Sequence, residues 1–463
     1  ATLIGVFALL DGGSDGPGRR LWFGASIFGA AIGPALGGAL TELFDWRAIF
    51  LAQVPLVLPA LAVAGAAALR SRPEPGDADA PAEVPSEPPD SPLRLRPTLA
   101  LALLSAALTA VIFLVVLLLV AGWSVDPLAA ALAVSVLPVA AIAAARVPGD
   151  TETRAVAGCL LVGAGIGCLA LLPGDSAWWT VVPQLLAGAG MGLALPALAG
   201  ELLPERTRRD VARVLSIRHA GIAVALAVIA PIVAGNLGSS IREAQLQGTA
   251  ALLDASLDPG DKVEIAPTLF AGLNTDDPRA ELDSAFDRVA PDFKGSGRDE
   301  LDRLAAQLDD VVTGAVRASF RFAFVATAAM ALAATLILLL GRARTPAERE
   351  AAEARWRPLL AAALVAGFTL LAYGAAFADS EREQVAILDP CNAEREDPGS
   401  GGIGGFLQDR TLEALDNAAC EFGSSREELL LALVDEDERS DYERTYGVDP
   451  GSFGQLGPAI LGL

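Results

Sequence analysis

Arg218 and His219 stand side by side in VLSIRHAGIAVALAV, about one turn inside an apolar run near its Arg-rich end. An ionisable residue at membrane depth marks a gate or a coupling site by default. An Arg this near the end of a run can instead snorkel to the interface. His219, the sole His in the chain, is of the one side-chain type that ordinarily titrates near neutral pH. Glu201 ends another apolar run, where a solvated interface position and a proton site are both open.

Several other chemistries lack their residues. No GxxxxGK[ST] occurs, and neither Lys262 nor Lys294 follows a Gly, so no phosphate-cradling loop for ATP is expected. One His and no CxxC argue against a zinc site, and no nucleophile–base pair stands out. GAGIG (Gly163, Gly165, Gly167) and GAGMG (Gly188, Gly190, Gly192) lie inside apolar runs with no strand before them. They read as helix packing rather than dinucleotide binding. We expect no enzyme, no metal and no cofactor. An ion gradient, most simply of protons, is then the expected energy source.

The elements that must carry these residues are membrane spans. The chain of 463 residues is 53% hydrophobic, in nearly charge-free blocks long enough to cross a bilayer as helices. A partial span occupies 1–10. Complete spans are expected near 22–41, 49–69, 98–122, 127–145, 155–173, 178–199, 214–238, 322–340 and 358–378. Residue 1 is Ala, with no charged leader before the apolar run. The sequence therefore reads as starting inside a helix, and the frame is expected to continue upstream for about 100 to 130 residues.

Arg residues cluster in alternate loops, including Arg70 and Arg72, Arg146 and Arg154, and Arg206, Arg208 and Arg209. The intervening short loops contain only Arg47. The positive-inside rule puts the Arg-rich loops in the cytoplasm. Segment 239–319 and the tail from 379 then lie outside, and a multi-pass plasma-membrane protein is expected. Trp123, Trp178 and Trp179 fit an outer interfacial belt, and Trp356 an inner one.

The net charge of −22 resides wholly in the two external segments. Segment 239–319 has 16 acidic and 8 basic residues, and 379–463 has 20 and 6. No basic face for nucleic acid is visible. Segment 70–97 has eight Pro in 28 residues and reads as an extended linker. In 239–319 the flanking helices are expected to extend outward around a less ordered middle, near 258–298. The tail suggests two helices in series, the first stopped at Gly423 and the second opened by a Ser424/Glu427 capping box. Cys391 and Cys420, external on this topology, are candidates for a disulfide. Cys159 and Cys168 lie in one span and read as small apolar residues.

The sharpest pattern is GAAIGPALGGALTELFDWRAIFLAQVP over 29–55. Gly29, Gly33 and Gly37 recur at i, i+4, i+8, which permits close helix approach, and Pro34 favours a kink. GxxxGPxxGG followed by WRxxFxxxVP resembles the antiporter motif of the major facilitator superfamily, in its fourteen-helix multidrug/proton antiporter branch. Gly29, Gly33, Pro34, Gly37 and Gly38 match it residue by residue, and an earlier Gly of the pattern falls on Arg20. VLSIRHAGIAVALAV resembles a later family helix, with Arg218 at its Arg and His219 in place of Gln.

The resemblance implies an all-α polytopic membrane protein of two rocking bundles. It implies proton-coupled efflux of small drug-like molecules, with lipid, protons and a small-molecule substrate as partners. The motif helix would then pack on the second bundle to control closure, and Arg218 would help lock the cytoplasmic side. On this reading 1–69 is an incomplete N-terminal bundle, 70–97 a linker, and 98–340 the C-terminal bundle with its insertion 239–319. Residues 341–378 form a cytoplasmic loop and an extra span, and 379–463 a small helical acidic tail. The alternative is a membrane-anchored binding or regulatory protein whose external segments act on a degraded transporter scaffold.

Overall fold

The computed structural model describes residues 94–202, 208–257, 278–340, 346–380, 387–392 and 403–452, with positions 33, 36–55, 57–58, 261–262 and 265. The expected partial span 1–10, most of the spans 22–41 and 49–69, and the Pro-rich linker lie outside the described residues. Two short helices, α1 over 36–43 and α2 over 48–55, precede the main bundle.

The bundle is built from α3 (Leu95–Leu117), α4 (Pro127–Val134), α5 (Val136–Ala144), α6 (Thr151–Leu169) and α7 (Val181–Leu202). Three long helices complete it: α8 (Arg208–Asp254), α10 (Ser296–Leu339) and α11 (Pro346–Ser380). Seven helical stretches among the described residues are long and apolar enough to cross a membrane. They coincide with the seven spans expected from residue 98 onward. The chain is an all-α polytopic membrane protein.

Its surface has the corresponding character. Phe368, Leu371, Val224 and Phe322 are all more than half exposed, as suits side chains that face lipid. Backbone groups are satisfied within the helices, and local cues set the ends. Asp150 caps α6 by accepting from the Thr153 N–H at 2.9 Å, and Pro127 opens α4 in the first turn, where no donor is needed.

Small residues set the packing distances. Gly158 on α6 and Gly190 on α7 face each other so closely that a Cβ at Gly158 would stand 2.6 Å from the Gly190 carbonyl oxygen. A Cβ at Gly165 would meet the Pro183 carbonyl oxygen at 2.6 Å, and Cβ atoms at Gly188 and Gly192 would collide with the α5 backbone. The GAGIG and GAGMG runs are thus interhelical seams. Around them, α3, α6, α7, α8 and α10 share one apolar core containing Leu104, Leu114, Ile166, Leu198, Ile229 and Phe324. Cys159 and Cys168 are buried free thiols.

Helix α11 belongs to this bundle rather than standing apart. Ala362 and Ala366 pack with Ala157, Leu161 and Ala164 of α6. Tyr373 donates its hydroxyl to the Trp179 carbonyl at 2.7 Å, with the two rings edge to face. Trp123 departs from its expected place in an interfacial belt. It is 4% exposed and part of the core, because the π-turn Leu118–Gly122 ends the span and turns the chain back under α10. Trp178, at 81% exposure, has the surface position expected of it.

Helices α8 and α10 run beyond the expected membrane boundaries, to Asp254 and from Ser296. The described part of the interval between them includes a helix not expected there, the amphipathic α9 (Pro278–Val289). Leu282, Ala285 and Phe286 of α9 join the core, while Asp283, Asp287 and Arg288 are exposed. The acid-rich composition concealed that stripe.

Among the described residues the tail has three helices rather than the two expected: α12 (Ile403–Phe422), α13 (Arg426–Val434) and α14 (Glu436–Tyr446). Gly423 ends α12 at φ 71°, a left-handed stop that favours Gly. The capping box lies one residue later than expected. Ser425 accepts from the Glu428 N–H, and Glu428 accepts from the Ser425 N–H at 3.0 Å. Ser424 instead hydrogen-bonds Tyr442 at 2.6 Å, and Glu427 is buried. The stop at Gly423 needs an extra residue before the helix can restart.

Candidate functional site

The motif glycines separate by role. A Cβ at Gly38 would overlap the Ala131 Cβ and stand 2.7 Å from the Pro127 carbonyl oxygen. Helix α1 therefore rests backbone to backbone on the start of α4, and only Gly allows that approach. Gly37 faces Ile49 of α2 at 4.0 Å, and its carbonyl accepts from the Thr41 hydroxyl at 2.9 Å. Gly33 has no atom of another described residue within 4 Å of its Cβ direction. Gly29 and Pro34 lie outside the described residues.

Arg218 and His219 lie on α8 and are exposed, pointing away from the bundle interior. His219 Nδ1 lies 2.6 Å from the Leu215 carbonyl oxygen one turn back. Two residues on, Gly221 makes the close approach to α3, its Cβ direction running into the Ala102 backbone. So the helix that carries Arg218 and His219 is seated on α3 by its glycine, not by its ionisable pair. Glu201 is in the last turn of α7, and its side chain lies outside the described residues. Arg218 and His219 are thus on the exposed side of α8, while Gly38 is at the contact of α1 with α4. Among the described residues no group of His, Cys, Asp or Glu is arranged to hold a metal ion.

Cys391 and Cys420 are joined by a disulfide, with Cα atoms 5.0 Å apart. It ties the segment after α11 to the end of α12. The tail then docks on the projecting end of α8. Arg426, 1% exposed, donates to Asp254 at 2.9 Å and lies 3.4 Å from Glu427, which is fully buried. Arg242 pairs with Glu438 at 3.4 Å and Asp441 at 3.5 Å. Lys262, 8% exposed, donates to the Leu253 carbonyl at 2.6 Å, and burial pushes its ammonium down to about 8. None of these ionic groups was distinguishable in sequence from solvated surface charge.

One family model recognises part of this architecture. Residues 21–200 match the Major Facilitator Superfamily model. The match takes in the motif helix α1, the seat of Gly38 on α4, and the glycine seams of α6 and α7, and it ends before α8. A relative, the multidrug efflux pump LfrA of Mycolicibacterium smegmatis, is 42% identical over 71 residues, 14% of this chain. The aligned part spans 14% of that pump's length. No solved structure matches the chain. The superfamily likeness therefore covers the helices up to α7, and the projecting helices, α11 and the tail lie beyond it.

Proposed function

We propose that the chain is a secondary active transporter of the major facilitator superfamily, in the multidrug/proton antiporter branch. It exports small drug-like molecules in exchange for protons by alternating access. The observation that carries this reading is the seat of Gly38 on α4. A motif glycine makes a backbone contact with the next bundle, at the place where the bundles must meet and part. The superfamily match over 21–200 and the partial identity to a multidrug efflux pump support it.

On this reading the protein crosses the plasma membrane, and the projecting ends of α8 and α10, with the tail, lie outside the cytoplasm. Gly29, Gly33, Pro34, Gly37 and Gly38 govern closure. Arg218, with His219 beside it, serves the cytoplasmic gate, and Glu201 is a further coupling candidate. The proton gradient supplies the energy, with no cofactor.

The test is energised export of a cationic dye such as ethidium from cells that express the complete reading frame. Gly38→Val should abolish export while membrane insertion persists, and collapse of the proton gradient should stop export by the native protein. Export that survives Gly38→Val would overturn the motif assignment. A second reading, a membrane-anchored regulatory protein, is favoured by the well-built tail docked on α8. Removing the residues after Ser380, which leaves α11 in the bundle, separates the two, because a transporter should still export.

A further inference from the structure

At the end of the bundle from which α8 and α10 project, a cavity of about 530 Å³ opens between α3, α6, α8, α10 and α11. Its volume lies in the range of small-molecule sites, and its lining is layered. At the mouth are Glu243 of α8 and Asp310 of α10. Next along α10 come Arg317 and Arg321, and the floor is apolar, with Leu118, Phe320 and Phe324.

The two guanidiniums lack a close ion pair among the described residues, although the Asp175 carboxylate acts on Arg317 from a longer distance. Arg317 reaches the Leu172 carbonyl at 3.4 Å with Nη1, while its buried Nε has no partner among the described residues. Arg321 lies over the Phe377 ring, 4.8 Å from its centroid. Neither has a described carboxylate within ion-pair distance. They are four residues apart, hence on one face of α10. Guanidinium forks match carboxylate and phosphate oxygens. The mouth acids differ: Glu243 accepts from Gln247 at 3.3 Å, and Asp310 is already engaged. Asp310 sits roughly 10 Å beyond Arg317 along α10, at 1.5 Å per residue. A small free anion entering from water must pass the mouth acids, whereas an amphiphile can enter along the apolar wall.

We propose that this cavity is a binding site for an anionic amphiphile, with its phosphate or carboxylate on Arg317 and Arg321 and its chain on the Phe320 and Phe324 floor. Gly314 leaves room for it, since a Cβ there meets open space. Its two arginines and two phenylalanines lie outside the superfamily match, and the site does not depend on the transport reading.

Native mass spectrometry of the full chain in a neutral maltoside detergent tests it. Decyl phosphate should bind at one site at least tenfold more tightly than decyltrimethylammonium, and inorganic phosphate should not bind. Equal retention of the cationic and anionic probes, or binding of inorganic phosphate alone, would overturn the proposal without any variant. R317Q/R321Q should weaken decyl phosphate at least tenfold, and Gly314→Trp should exclude it, while Gly314→Ala retains it. Unchanged affinity in well-folded R317Q/R321Q and Gly314→Trp would likewise overturn it. Phosphatidylglycerol that displaces decyl phosphate assigns the site to a lipid; failure to displace it assigns a soluble amphiphile.

Discussion

Arg426 Nη2 donates to Asp254 Oδ1 at 2.9 Å, across 172 positions of sequence. That bond joins the tail to the projecting end of a bundle helix. The guanidinium is 1% exposed and Asp254 57%, while Glu427 beside it is fully buried. The pair with Asp254 is thus partly solvated, and its screening limits it to about 1 kcal/mol or less. The buried charge of Glu427 weighs more. Arg426→Ala would remove the guanidinium 3.4 Å from Glu427 and 3.9 Å from Asp416, a loss of about 3–5 kcal/mol for a buried pair. Hydrogen exchange over 403–452 should therefore accelerate strongly in Arg426→Ala and only slightly in Asp254→Asn. Equal protection in both variants would show that the tail docks by other means.

Lys262 makes the same region sensitive to alkali. Burial lowers its folded-state pKa to about 8 from 10.5. Asp254 opposes the shift, Arg426 adds to it, and Glu300 opposes it. Below pH 8 the ammonium is charged in both folded and unfolded states, so the burial penalty is fully present. Between about 8 and 10.5 the unfolded chain holds more protons than the folded one, so stability rises with pH. The full shift corresponds to about 3 kcal/mol, an upper bound because the site is partly hydrated. Thermal unfolding of the projecting unit should move upward from pH 8 to 10 in the native protein. The rise should flatten in Lys262→Met, and a native curve that falls over this interval would refute the assignment.

The seven spans beyond residue 98 were legible because lipid demands long apolar helices and little else competes with that signal. The glycine seams were legible for a similar reason, since small residues at regular spacing have few other uses inside a span. The ionic interface was not. Arg426, Glu427 and Lys262 look like any surface charge until the helices are placed, because pairing across 172 residues leaves no periodic trace. Arg317 and Arg321 were hidden differently. They fall just before the apolar run at 322, where basic residues ordinarily mark an interface. Helix α9 was obscured by acids, although Leu282, Ala285 and Phe286 carry a helical stripe. Among the motif residues, spacing marked Gly33 and Gly38 alike, and only packing separates them.

The glycines give a contrast that sequence alone does not. Gly190 faces the Gly158 backbone, whereas Gly367 meets open space. Gly190→Val should force α6 and α7 apart, an overpacking cost of about 1–3 kcal/mol, and lower the yield of folded protein. Gly367→Ala should be neutral or stabilising by up to about 1 kcal/mol, through higher helix propensity. Melting temperatures in detergent check both. Similar effects at the two positions would mean that the α6–α7 seam is not the tight contact described.

The disulfide between Cys391 and Cys420 closes a loop of 29 residues. Its chain-entropy contribution for such a loop is about 3–4 kcal/mol. The enclosed segment leads into α12, whose end supplies Ala418 and Ala419 to a tail core of only a few side chains. A core that small has little stability of its own, so the cross-link should decide whether the tail is folded. Reduction, or Cys391→Ser, should melt α12–α14 at a temperature well below that of the bundle and split one transition into two. The Arg426 docking contact should be lost with it, because Arg426 is presented by the turn that follows Cys420. If reduced protein unfolds in a single transition at the native temperature, the tail is held by its docking on α8 and not by the cross-link.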